Sequence, residues 1–193
     1  MVSTSWPLFL LILLATTAMG QSSPESNANT SADSSALSAF FHEPFEQPLG
    51  FSFFAWDAKE RILSRFGDPD SKKSSRHSSR TSQEKLWSTT LTYSGISFVI
   101  GESEDRSRTW IEKIDVQGGD HVLAYGLRIG SPRSDVEAAF RDAHYIEFER
   151  GLRFVAEVWE AKGQKTLTTA MELRIELGAD GRVMRFLIES IEL

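Results

Sequence analysis

The 193-residue chain contains no cysteine. That excludes disulfides, thiolate metal sites, a cysteine nucleophile and lipidation through an N-terminal cysteine, so stability has to come from packing. Histidine is scarce. The four residues His42, His77, His121 and His144 are scattered, without the His-x-x-x-His or Glu-paired spacing of a zinc site. There is no Gly-x-Ser-x-Gly elbow. Residues 126–130 are too sparse in glycine for a phosphate loop. The acidic groups around Asp68 and Asp70, and around Glu102, Glu104 and Asp105, lack the glycine and terminal glutamate of a calcium loop. No metal, cofactor or catalytic residue is therefore predicted, and the chain reads as non-enzymatic. An excess of basic charge is also missing: the formal net charge of −6 argues against nucleic acid as a partner.

Long apolar runs are limited to one. Residues 6–15 (WPLFLLILLA) fall short of the roughly 20 residues that span a bilayer. The run leads into Ala18-Met19-Gly20, a small-x-small cleavage pattern. Residues 1–20 are read as a signal peptide cleaved after Gly20, although no Lys or Arg precedes the run. The expectation is a periplasmic or secreted protein with no stable membrane span after cleavage. Residues 21–38, rich in Ser, Asn, Thr and Ala, read as a disordered linker. Residues 39–55 read as an aromatic strap over the core: Phe40, Phe41, Phe45, Phe51, Phe53 and Phe54, interrupted by Pro44, Pro48 and Gly50.

Two α+β segments follow, residues 56–120 and 121–193. In the first, Asp57 and Glu60 form a capping-box pattern, and Ala58, Ile62, Leu63 and Phe66 share one helical face. Gly67 and Pro69 end the helix. Residues 71–85 (SKKSSRHSSRTSQEK) read as a solvated basic loop able to meet an anion or an acidic partner. Residues 86–100 read as a hairpin turning at Ser94-Gly95, and residues 110–116 as a third strand. In the second segment, Ser131 caps and Pro132 opens a helix running to about Ala143. Strands are expected over residues 145–148, 152–159, 168–177 and 183–193, with a bulge to absorb the consecutive Phe186, Leu187 and Ile188. Phe66 and Phe140 end corresponding helices, and Ile100-Gly101 and Leu177-Gly178 end corresponding hairpin arms, at nearly equal separations along the chain. The fold class predicted is α+β: two tandem helix-plus-three-strand repeats, with helices packed on a curved antiparallel sheet.

The stretch Gly126-Leu127-Arg128-Ile129-Gly130-Ser131 with Asp135-Val136 downstream resembles the SmpA/OmlA-type bacterial envelope domain. So do Phe66-Gly67-Asp68-Pro69, residues 173–177 and Gly181-Arg182-Val183; in tandem, the domain is similar to the β-lactamase inhibitor protein family. The resemblance implies a layered α+β fold whose open sheet face and loops contact proteins. The chain departs from both families in having no cysteine.

Strand periodicity makes Trp87, Tyr93, Trp110 and Trp159 the candidate partner-binding residues, since Trp and Tyr are effective interface anchors. The function expected is that of an exported protein-binding module of the bacterial cell envelope, with an envelope or secreted protein as its partner. A hydrolase inhibitor or small-ligand carrier on the same scaffold is the alternative, and a hydrolytic enzyme a third.

Overall fold

A computed structural model describes residues 35–46, 53, 56–78, 85–162 and 165–191. All lie within the unit Ala32–Leu193. The elements in chain order are helix α1 (Ser35–His42), helix α2 (Ala58–Phe66), strands β1 (Ser71–Ser78), β2 (Lys85–Tyr93), β3 (Ile96–Glu102) and β4 (Thr109–Val116). Helix α3 (Arg133–Ala139) and strands β5 (Tyr145–Phe148), β6 (Gly151–Lys162), β7 (Lys165–Leu177) and β8 (Val183–Ile191) follow.

The eight strands form one antiparallel sheet in the order β1-β2-β3-β4-β8-β7-β6-β5. This overturns the expectation of two tandem helix-plus-three-strand repeats. The strand that was not expected is β1, at one edge; β5, at the other, falls on the expected residues 145–148. In β1, Ser71 to Arg76 are exposed and none is apolar, so no apolar face reveals the strand. The basic stretch read as a loop is β1 for its first eight residues.

Alternation sorts the sheet into two faces. One row of paired residues crosses all eight strands: Lys72, Leu91, Phe98, Ile114, Ile188, Leu173, Phe154 and Tyr145. From Leu91 to Phe154 this row is buried, and it is the face the helices cover. Helix α2 lies on β4 and α1 on β6. Phe66 at the end of α2 meets the Phe98 ring at 5.1 Å, and Phe140 just past α3 meets Phe154 at 5.1 Å. Phe40 of α1 stands edge-on to Phe140 at 5.3 Å. Helix α1 thus spans the boundary drawn between linker and strap, and its buried Leu37, Phe40 and Phe41 belong to the core.

Local details also differ from expectation. Asp57 makes no side-chain cap; its carboxylate accepts from Arg61 Nε at 2.8 Å. Glu60 instead takes a hydrogen bond from the Thr109 hydroxyl at 3.4 Å. Helix α3 begins at Arg133 and is seven residues long, while Ser131 Oγ accepts from the Arg128 N–H. The register shift in β7–β8 falls at Glu176/Leu177, away from Phe186–Ile188. Phe186 and Ile188 enter the core, and Leu187 is buried on the opposite face, so the run needs no bulge.

A buried polar network fixes α2 to the sheet. Glu102, 1% exposed, accepts from the Thr89 hydroxyl and from Lys59 Nζ at 3.0 Å. Thr89 Oγ1 lies 2.8 Å from Ser74 Oγ, and the Lys59 N–H donates to Thr109 Oγ1 at 3.1 Å. Burial raises the Glu102 carboxyl, but the hydrogen bonds from Thr89 and Lys59 outweigh it and hold the carboxyl below its ordinary value.

Candidate functional site

The candidate site is the sheet face opposite the helices. Its middle row runs Ser71, Thr92, Ser97, Asp115, Leu187, Arg174, Arg153 and Ile146 across the eight strands. A second row runs Lys73, Thr90, Val99, Lys113, Glu189, Glu172 and Val155. Three zones result. Short hydroxylic side chains with Lys73 and Val99 among them cover β1 to β3, mainly charged residues cover β4 to β6, and apolar residues border β5.

The charged zone is paired within itself. Lys113 contacts Glu189 at 2.9 Å. Arg153 and Arg174 each contact Glu172 at 2.6 Å, and Arg174 also reaches Glu189 at 4.0 Å. Arg185 grips Asp115 through Nε at 2.8 Å and Nη2 at 2.7 Å, and contacts Glu176 through Nη1 at 3.0 Å. Four cations thus meet four carboxylates in this lattice. Glu172, 2% exposed, is its most buried member. Burial raises the Glu172 carboxyl, while the hydrogen bonds from Arg153 and Arg174 more than reverse that and leave it below the usual range.

Glu102 and Glu172 both release protons more readily folded than unfolded. Each therefore contributes stability above the unfolded carboxyl pKa of ~4.3, lost as pH falls through the lower folded value. Thermal melts from pH 7 to pH 3 are expected to show a midpoint that falls below about pH 4.3, and the double variant Glu102→Gln/Glu172→Gln a shallower fall.

Aromatic and aliphatic side chains flank the lattice. Beside β5, Ile146 is 61%, Val155 41% and Phe148 38% exposed. The Phe148 ring covers Gly151 of the adjacent strand: a Cβ there would lie 2.7 Å from Phe148 Cζ. On the other side Trp110, paired with Gly101, covers that glycine with its indole. The edge of the Trp110 ring meets Trp56 at 5.9 Å.

Three of the four sequence-predicted residues have described side chains, and these three do not share one face. Trp110 belongs to the open face. Trp87 pairs with Glu102 and lies toward the helix side, its ring 4.1 Å from the Arg106 guanidinium and 5.8 Å from that of Arg76. Tyr93 also faces the helices, packed on Phe66 and Phe98, and its hydroxyl donates to the Gly67 carbonyl at 3.1 Å. The backbone of Trp159 pairs with Thr168, and its side chain lies outside the described residues. Sequence reasoning missed Ile146, Phe148 and Val155. Their signal was an apolar residue at every second position of a short terminal strand, meaningful only once β5 is known to be an edge.

Two recesses are lined by described residues. A cleft of about 190 Å³ lies between Phe45, Glu46, Arg65, Phe66 and His121, below the ~300–1,000 Å³ of ordinary ligand pockets. A depression of about 560 Å³ between Ile129-Gly130 and residues 178–184 is wide open to solvent. Among the described residues, no group of three or more His, Asp or Glu is arranged to hold a metal ion. Nor, among them, is any helix long and apolar enough to cross a membrane.

Compared with known protein families, the chain matches none, and no curated protein matches it. Among solved structures it is similar to a DUF4309 family protein (YjgB) from Bacillus subtilis subsp. subtilis str. 168, with 15% identity and a TM-score of 0.38. The alignment covers 81% of this chain and 93% of that one.

Proposed function

We propose that this protein is an exported, non-enzymatic module of the bacterial cell envelope that binds another protein through its open sheet face. One observation supports this reading above the others. The face bears exposed Ile146, Phe148 and Val155 and a half-buried Trp110 on either side of a lattice that has already paired its own charges. Exposed apolar clusters mark interaction sites, and buried aromatic anchors supply most of the energy of such contacts. Charges fixed in advance favour one orientation and one partner more than they add affinity.

The test is capture from cross-linked envelope extract of the native host, with the chain starting at Gln21 as bait. A stoichiometric partner is expected, lost in Ile146→Asp/Phe148→Asp with the far-ultraviolet circular dichroism of the native fold retained. Equal capture by the double variant, or no partner for well-folded bait, would reject the reading. N-terminal sequencing of the exported protein is expected to begin at Gln21.

A further inference from the structure

We infer that the outer edge of β1 accepts an extended acidic segment of a partner protein as a ninth strand. β1 is the last strand on its side of the sheet and is paired only to β2 among the described elements. It is eight residues long, against four for β5 at the opposite edge. Ser71 to Arg76 are all exposed. A sheet edge of this kind offers main-chain donors and acceptors to an incoming strand, and the flanking side chains choose which strand is accepted.

Those side chains specify charge. β1 carries Lys72, Lys73 and Arg76 and no Asp or Glu, in a chain whose net charge is −6. Register places Lys73 on the open face and Lys72 and Arg76 on the helix side, so carboxylates on either face of an added strand would meet a cation. Ser74 and Ser75 separate Lys73 from Arg76 with little bulk, leaving room for acidic side chains. A second copy of β1 would set cation against cation, and edge lysines are a common guard against such self-pairing. The same charges that exclude a like strand select an unlike one.

The far end of the strand already shows the contact in miniature. Glu104 of the β3–β4 connection reaches Arg76 Nη2 at 2.5 Å. Beside it, Arg106 has a left-handed backbone (φ 57°) and its guanidinium lies over Trp87. Asp105, hydrogen-bonded by Ser103 and by the Ser107 N–H and hydroxyl and held at about 2, stays ionised and fixes that turn. Arg106 thus places one further cation past the end of β1, on a preformed loop that also carries Glu104 and Asp105. The inference does not rest on the open-face reading.

The experiment titrates the 15N-labelled protein with an eight-residue peptide alternating glutamate and valine, and with its lysine–valine counterpart. Amide shifts on β1 and around Arg106 are expected with the acidic peptide alone. Binding is expected to weaken about tenfold in Lys72→Glu/Lys73→Glu and to weaken with added salt. Shifts centred on Ile146 and Arg185, an equal response to the lysine peptide, or no response at millimolar peptide would overturn it. So would concentration-dependent shifts of β1 without peptide, which would make a second copy the occupant. Failure here leaves capture by the Ile146 and Phe148 face to be decided by its own variant.

Discussion

Gly151→Ala is expected to unfold or badly weaken the protein, by about 3–5 kcal/mol out of the ~5–15 available to a domain of this size. Gly151 opens β6 and is paired with Phe148 on one side and Glu176 on the other. A Cβ there would run into the carbonyl oxygen of Ile175, with Phe148 Cζ 2.7 Å away. The phenyl ring can turn aside; the carbonyl belongs to β7 and cannot move without parting the strands. Gly178→Ala is the comparison. Its nearest neighbours would be Asp180 Oδ1 at 2.9 Å and Met184 Sδ at 3.1 Å, both ends of flexible side chains. Its expected loss is below about 1 kcal/mol. Urea unfolding of the two variants decides the matter: similar midpoints would show that β6 and β7 do not approach so closely.

Phe40→Ala is expected to lose about 3–5 kcal/mol, the range for emptying a buried aromatic site. The ring is fully buried, edge-on to Phe140 at 5.3 Å and to Phe41 at 6.0 Å. Tyr125, itself in a left-handed backbone conformation, donates from its hydroxyl to the Ala36 carbonyl at 2.8 Å and holds α1 in place. Removing that hydroxyl in Tyr125→Phe should lose only about 1 kcal/mol, because the group is exposed. Chemical denaturation that found Phe40→Ala within about 1 kcal/mol of the native chain would detach α1 from the core.

Several elements were legible in the sequence for definite reasons. Gly67, at φ 77°, ends α2 where the glycine was read as a stop, and Gly95 turns the β2–β3 hairpin. Ile96, Phe98 and Ile100 alternate into the core as periodicity requires. β1 was illegible because an edge strand exposed from Ser71 to Arg76 needs no apolar period. The tandem three-strand scheme failed in the first segment for the same reason; in the second, the strand over residues 145–148 was expected, and it joins the sheet as a fourth. The open face was half legible. Periodicity says that neighbouring residues face opposite ways, but not which way the set points when both sets hold aromatic residues. Trp87 and Trp110 were therefore grouped, although pairing with Glu102 and with the adjacent Gly101 puts them on opposite faces. The charge lattice was invisible beforehand: Arg185 and Asp115 are 70 residues apart and meet only where β4 joins β8.

That joint has a kinetic side. Every other neighbouring pair of strands in the sheet is consecutive along the chain, so β1 to β4 and β5 to β8 can each zip up hairpin by hairpin. β4 and β8 pair over only four residues, from Lys113–Glu189 to Val116–Phe186, and closing that contact means drawing in a long intervening loop. Long-range closure of this kind slows folding. A chain with both meanders formed and the joint still open would expose Ile114, Phe186 and Ile188 along two raw strand margins. Such a species is prone to associate with its own kind before it finishes. The lone ladder that unites the sheet is then also where slow assembly would leave the molecule most vulnerable.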